Sequence, residues 1–383
     1  MMTDQPVGAI LLDDESRYDR QERISWWDQR KLLQAKVLVV GAGALGNEIV
    51  KNLALVGVGN LTIVDLDIIE HANLARCVFF RHSDRGAYKA DVLAARVSDM
   101  NPDVHASAQS RPVERLGVGF LLDFDLVICG LDNRETRAWI NQACRKLGIT
   151  WIDGAIEGLQ GLVRCFPPTG ACYECTLGGN DRQAMEHRRS CALLSPAEME
   201  SGKVPTNATT SSIVAGVEVQ EAIKILVGQP SLLALENRAW VLSGETMLTY
   251  QVEYPEDEYC MAHDSYNDLY KKAVSITCLA DIIAAAPFTP EAIDFEEDLI
   301  SVLPCETCNG GARTNFRSGV PLGAGLCQQC ETPLQMTSRT SIFADDPLTK
   351  VSWHTFNPAL YDVVTLRAAE QRVHFRVVSR PQS

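Results

Sequence analysis

Hydrophobic and polar positions fall into two regimes along the chain. Up to about Gly154, short apolar runs alternate with amphipathic stretches. "YDRQERISWWDQRKLLQA", residues 18–35, has helical periodicity and predicts an amphipathic opening helix. Val37 to Val40, rich in β-branched residues, predicts a buried strand. A helix running to about Val56 follows, closed by "GVGN", and "LTIVD" is the next strand. Then come a helix ("AYKADVLAARVSDMN"), a strand ("DFDLVICG"), a helix ("NRETRAWINQACRKLG") and a strand ("ITWIDG"). Strands alternating with helices predict a parallel, doubly wound α/β sheet. Beyond Gly154, "GLVRCF" and "WVLSGETMLTYQVEY" predict antiparallel strands, with the long apolar helix "TSSIVAGVEVQEAIKILVG" between them. Residues 178–207 are polar and glycine-bearing, so a mobile loop is expected, with Cys191 in its middle.

Composition narrows the setting. The 383 residues are 46% hydrophobic and 22% charged, ordinary for a globular chain of two or three domains. A net charge of −14 argues against nucleic acid as a partner. No apolar run reaches the length of a membrane span, and "VGAILL" is too short for a signal sequence and is followed by acids. A cytoplasmic, reducing setting is expected, in which the 13 cysteines bind metal or react.

Chemistry concentrates after the first strand. Gly41, Gly43 and Gly46 have G-x-G-x-x-G spacing between a strand and a helix. Glycine lets backbone approach phosphates, and the helix N-terminus attracts their charge. Asp65 ends the next strand, 19 residues after Gly46, suitably placed for a ribose hydroxyl. This much fits a nicotinamide dehydrogenase as well as an ATP user. Asn73 and Arg76 lie beyond that strand's carboxyl end, Lys89 opens the next helix, and Asp132 stands in "DLVICGLDN" at another carboxyl end. In a doubly wound sheet these positions converge on one crevice. Two cations, an amide and a carboxylate suit a triphosphate with Mg2+; a nicotinamide ring would want an apolar wall.

The set "RYDRQ", "VLVVGAGALG", "GVGNLTIVDLD", "NLARC", "AYKADVLAARVSDMNP", "DLVICGLDN" and "ACYECTL" resembles the ubiquitin-activating-enzyme superfamily. That group includes bacterial adenylyltransferases that activate sulfur-carrier proteins for thiamine and molybdopterin synthesis. The resemblance spans roughly residues 17–265 and is far more specific than the glycine motif alone. It implies that Gly41 to Gly46 cradle the phosphates of ATP, that Asp65 holds the ribose, that Asn73, Arg76 and Lys89 bind the triphosphate, and that Asp132 holds Mg2+. Arg20 matches the arginine that the family inserts into its partner subunit's site. With one adenylation unit per chain, a homodimer with two sites is implied, close to prokaryotic single-repeat forms.

The family also places a thioester-forming cysteine shortly after "CxxCTL", and Cys191 fits that position. In "HRRSC", three basic neighbours favour its thiolate, the form that attacks an adenylate. Cys305 with Cys308, and Cys327 with Cys330, are C-x-x-C pairs separated by 18 residues, the spacing of a zinc ribbon. Cys172 and Cys175 are half of another site. The family supplies a second C-x-x-C after the last strands, where this chain offers Cys260 and His263 in "EYCMAH". A Cys3His zinc site is chemically sound, and a redox pair is the alternative. Two structural Zn2+ sites are expected.

The expected organisation is a Rossmann-like adenylation domain with an antiparallel extension over 1–265, a linker or helical segment over 266–300, a zinc ribbon over 301–335 and a small strand-rich module over 336–383. The expected function is activation of a ubiquitin-like protein with transfer to a conjugating enzyme. A sulfur-carrier adenylyltransferase is the alternative, although no rhodanese module is present. A non-catalytic adaptor fits poorly with the complete Arg20, Asp65, Arg76, Lys89 and Asp132 set.

Overall fold

The computed structural model describes residues 16–178, 205–310, 314–316, 326–327 and 329–378. Lys36–Val40 (β1), Asn60–Val64 (β2), His105–Gln109 (β3), Leu126–Cys129 (β4) and Trp151–Glu157 (β5) pair in parallel. Gln160–Phe166 (β6), Arg238–Ser243 (β7) and Leu248–Glu253 (β8) continue the sheet in antiparallel sense. The order is β3-β2-β1-β4-β5-β6-β7-β8, so the chain changes direction across the sheet between β1 and β4. In open α/β sheets ligands bind at such a switch point, outside the strands' carboxyl ends. β3, "HASAQ", has no apolar pattern of its own and joins the sheet by pairing with β2.

Alternation along the strands supplies two cores. Val37, Val39, Ile63 and Ile128 face helices Ala44–Val56 (α3), Lys89–Met100 (α4) and Ala208–Val227 (α6). Leu38, Val40, Val64, Val127 and Cys129 face helix Arg134–Leu147 (α5) and Phe120–Leu121. A left-handed glycine closes each long helix that ends in a tight turn: Gly57 after α3, Gly148 after α5 and Gly228 after α6. The opening segment differs from the expected single helix. It forms Asp19–Glu22 (α1) and Gln29–Gln34 (α2), because Asp28 turns extended and caps α2 by accepting from the amides of Arg30 and Lys31.

The segment 266–300 also differs from the linker or helical expectation. It holds Leu269–Ser275 (β9), Leu279–Ala285 (α7) and Ala292–Val302 (β10). β10 joins Thr314–Phe316 (β11), Met336–Phe343 (β12), Tyr361–Ala368 (β13) and Gln371–Val378 (β14) in a second sheet, with β9 parallel to β14. The acids inside β10, "DFEED", obscure its strand pattern; pairing with partners about 40 and 70 residues away overrides it. The cysteine-rich stretch is therefore an excursion from the β10–β12 end of this sheet, where Val302 pairs with Met336.

The second sheet shares a core with the first. Val363 of β13 is fully buried among Phe120, Leu121 and the α5 side chains. Arg376 makes two bonds to the Asp123 carboxylate, and Lys146 reaches Glu296 at 2.6 Å. Gly117 leaves room for the chain to pass: a Cβ there would lie 2.1 Å from the Tyr361 carbonyl oxygen.

Candidate adenylation site and metal centres

The glycine loop sits at the switch point. Gly41, at φ +99°, donates its amide to Val64 O at 2.8 Å. A Cβ on Gly46 would lie 1.9 Å from Gly41 O, and one on Gly41 would lie 2.5 Å from Gly130 O. Only glycine permits this packing, which brings the β1 loop against the β4 loop. A Cβ on Gly43 would meet nothing within 4 Å, so this glycine faces open space where α3 begins. Asn47, fully buried, braces the loop: its Nδ2 donates to Ala42 O at 2.8 Å, and its Oδ1 accepts from Phe79 N.

Asp65 lies beside this loop. Its carboxylate accepts from the Ala42 amide at 2.7 Å and the Asp67 amide at 2.8 Å. Burial pushes its pKa up, opposed by Lys89. Lys89 Nζ donates to Asp67 Oδ2 at 2.7 Å. Burial works against the lysine's charge, but Asp67 and Asp65 outweigh it and hold its pKa above the ordinary value. Arg76 is half-exposed, and its guanidinium has no hydrogen bond among the described residues. Arg76, Lys89, Asp65 and Glu48 all act electrostatically on the buried Cys77. Asn73 is buried, and its Oδ1 accepts from the Glu70 amide at 2.8 Å, so this oxygen braces the loop. Asp132 is exposed, two residues beyond Gly130, and has no hydrogen-bond partner among the described residues. An open glycine cradle, two cations and an unpartnered carboxylate fit a nucleotide triphosphate with Mg2+.

Arg20 stands elsewhere. The Tyr18 hydroxyl donates to Asp103 at 3.0 Å, and Gln21 Nε2 donates to Val56 O at 3.0 Å. These bonds seat α1 at the C-terminal end of α3, whereas the glycine loop lies at its start. At 1.5 Å per residue, those ends are about 20 Å apart. Cys191 and most of the expected loop, residues 179–204, lie outside the described residues.

Both cysteine clusters converge. The ligand atoms of Cys172, Cys175, Cys260 and His263 lie within 4.8 Å of one another, as do those of Cys305, Cys308, Cys327 and Cys330. Closest spacings are 3.3–3.7 Å in the first and 3.5–3.6 Å in the second. Disulfides would need about 2.05 Å, whereas sulfurs around a tetrahedral Zn2+ lie about 3.8 Å apart. His263 points Nε2 at Cys175, and its Nδ1 lies 3.4 Å from Glu256, the carboxylate–histidine arrangement typical behind a metal ligand.

Four of the remaining described thiols are buried. Burial pushes Cys77 up to about 11 and Cys165 up to about 12, and raises Cys129 and Cys144 too. Cys278 caps α7. Sequence reasoning missed a buried charge cluster of Arg137, Asp153, Arg164 and Glu218. Its signal is a lone charge inside an apolar strand: Asp153 in "TWIDG" and Arg164 in "LVRCF".

A ThiF family model matches residues 18–262. The SAMP-activating enzyme E1 of Haloferax volcanii is 33% identical over 261 residues, covering 66% of this chain and 89% of the relative. The NEDD8-activating enzyme E1 catalytic subunit of Schizosaccharomyces pombe is 38% identical over 154 residues; the match spans 39% of this chain and 35% of that protein. Among solved structures, E. coli MccB with ATP superposes with a TM-score of 0.53 at 22% identity, covering 66% of this chain and 75% of that one; at this identity the likeness is one of fold. The chain belongs to the ThiF family, in the ubiquitin-activating-enzyme-like superfamily, and is an adenylating, E1-like enzyme. No helix among the described residues is long and apolar enough to cross a membrane.

Proposed function

We propose that this enzyme activates the C-terminal glycine of a ubiquitin-like protein, captures it as a thioester on Cys191 and passes it to a conjugating enzyme. The carboxylate attacks the α-phosphorus of ATP; the bond to the bridging oxygen breaks and pyrophosphate leaves. The Cys191 thiolate then attacks the acyl carbonyl and AMP departs. The protein's task in the first step is to bring two anions together and neutralise the charge that develops. Lys89 and Arg76 supply that charge, Asp65 orients the ribose, and Asp132 holds Mg2+, which adds further neutralisation when bound.

The observation that carries the thioester step is the fate of the other thiols. Of 13 cysteines, four are buried with raised pKa values and seven belong to the two clusters, which leaves Cys191 and the half-buried Cys278; of these two, only Cys191 has basic neighbours in the sequence. The seat of α1, about 20 Å from its own crevice, supports a homodimer in which Arg20 serves the partner's site. Both clusters are read as structural Zn2+ sites, since each offers four ligands and no open position.

The test uses ATP and a ubiquitin-like protein with a free C-terminal glycine. Wild type should gain one substrate mass that reductant removes. Cys191→Ala should lose the adduct but keep ATP–pyrophosphate exchange. A persisting reductant-sensitive adduct would move the nucleophile to another cysteine. Adenylate accumulating on wild type without any adduct would favour the sulfur-carrier reading.

A further inference from the structure

We infer that Arg137 is a positioning residue: it clamps the backbone on both sides of Asp132 and so fixes where that carboxylate meets a nucleotide-bound metal ion. This rests on the reading of Asp132 as the metal carboxylate.

Asp132 has no side-chain partner among the described residues, so only its backbone sets its place. The two carbonyls that flank it both accept from one guanidinium. Arg137 Nη2 donates to Leu131 O at 2.5 Å, and Nη1 donates to Asn133 O at 3.4 Å. The same group is anchored on β5: Nε donates to Asp153 Oδ1 at 2.6 Å, and Nη2 donates to Gly154 O at 3.0 Å. Arg137 is 7% exposed and Asp153 is fully buried. The other Asp153 oxygen accepts from Arg164 Nε at 3.1 Å and from its Nη2. Arg164 Nη1 in turn donates to Thr176 Oγ1 at 3.2 Å, beside Cys175. The clamp therefore runs from the Asp132 loop through β5 and β6 to the first metal cluster.

Helix capping does not require it. Asn133 Oδ1 already accepts from the Thr136 amide at 2.8 Å. Burying an arginine is costly, and an apolar residue would pack against the sheet as neighbouring Ala138 and Ile140 do. What the planar fork achieves is a rigid bridge from a fixed carboxylate to the two peptide groups around one exposed acid. A lysine ammonium keeps the charge but lacks the fork needed to hold Asp153 and both carbonyls together.

The test is Arg137→Lys, measured by calorimetric ATP titration with Mg2+ and in EDTA. The metal-free affinity should stay as in wild type. The tightening that Mg2+ brings should shrink by about 10-fold, the low end of losses from groups behind metal ligands. In ATP–pyrophosphate exchange, the half-saturating Mg2+ concentration should rise by a similar factor, and Mn2+ bound with ATP should show a weaker protein-bound EPR signal. A merely structural arginine would lower Tm and weaken both affinities together. If Arg137→Lys does not fold, Asp153→Asn keeps the shape of the anchor without its charge and should give a smaller shift in the same direction. Wild-type metal dependence in whichever folded variant is measured overturns the clamp. Asp132→Ala runs in parallel. If it too retains the full Mg2+ effect, the assignment of Asp132 falls and takes the clamp with it. If it loses the effect while Arg137→Lys does not, the clamp alone is wrong.

Discussion

The two cysteine clusters use the same four-ligand geometry for opposite ends. The first draws Cys172 and Cys175 to Cys260 and His263, 88 residues on in the sequence. It is gripped from outside by one face of α5. Asn141 Oδ1 accepts from the Tyr173 amide at 2.9 Å, Gln142 Nε2 donates to Glu174 at 2.6 Å, and Arg145 Nη1 donates to Gly170 O at 2.9 Å. Arg137 lies on the same helix, so this cluster belongs to the architecture of the nucleotide half. The second cluster joins residues of one segment, Cys305 to Cys330. Its bonds are local, such as Cys305 N to Gly310 O at 3.1 Å and Cys327 N to Thr332 O at 2.9 Å, and Cys308 and Cys330 are exposed. A metal site stabilises whatever its ligands join: a domain in one case, a single excursion in the other.

Breaking the first cluster should have the largest effect. Cys172→Ser with Cys175→Ser should lose one of two zincs per chain by elemental analysis, destabilise the nucleotide half by several kcal/mol (on the order of a structural zinc's contribution) and abolish ATP binding. Intact ATP binding with one zinc lost would show that α5 holds the site unaided. Breaking the ribbon should be milder. Cys305→Ser with Cys308→Ser should lose the other zinc, speed hydrogen exchange only near residues 301–335 and leave ATP affinity unchanged. A fall in that affinity would erase the distinction.

A smaller change sharpens it. Glu256 accepts from Arg145 at 3.3 Å and lies beside His263 Nδ1, fixing the ring so that Nε2 faces the sulfurs. Glu256→Gln should weaken zinc at the first cluster by about 10-fold in competition with a chelator and leave the ribbon untouched. Equal loss at both clusters would contradict it.

The smallest expected effect is a pH dependence confined to the nucleotide half. Burial, reinforced by Asp153, raises the Glu218 carboxyl well above its ordinary range, and neither of its oxygens has a hydrogen-bond partner among the described residues. The folded state therefore keeps this proton to a higher pH than the unfolded state does, so folding takes up a proton between the two pKa values. Stability is fullest below the unfolded pKa and falls as pH rises through the folded one. Glu218→Gln, a neutral isostere, should raise the Tm of the nucleotide half by a few degrees at pH 8 and leave it nearly unchanged near pH 4. An equal shift at both pH values would show that ionisation is not the cause.

Much of the site is legible in the sequence because its signals are local. Gly41, Gly43 and Gly46 report a turn between adjacent elements, and Asp65, Lys89 and Asp132 are placed by where strands end and helices begin. Both C-x-x-C pairs of the ribbon lie in one segment. Other features are legible only as fragments. Arg137 reads as one more polar position on an amphipathic helix, and Asp153 and Arg164 as single charges in apolar strands; their meaning is a mutual contact between β5, β6 and α5. Cys278 carries no motif, and only the start of α7 gives it a role.

The sequence by itself determined the parallel half of the first sheet, the glycine loop at its switch point, the members of the two cysteine clusters and the family. Hydrophobic period, glycine spacing and ligand spacing act over a few residues, and those are the scales on which side chains commit the backbone. Tertiary structure alone decided the rest. It made strands of β3, β9 and β10, whose polar residues hide their period until a partner strand satisfies their backbone. It merged β9 to β14 into a second sheet that lends Val363 to the first sheet's core. It also turned three isolated charges into a clamp beneath Asp132, since a buried charge can be read only once its distant partner stands within hydrogen-bonding reach.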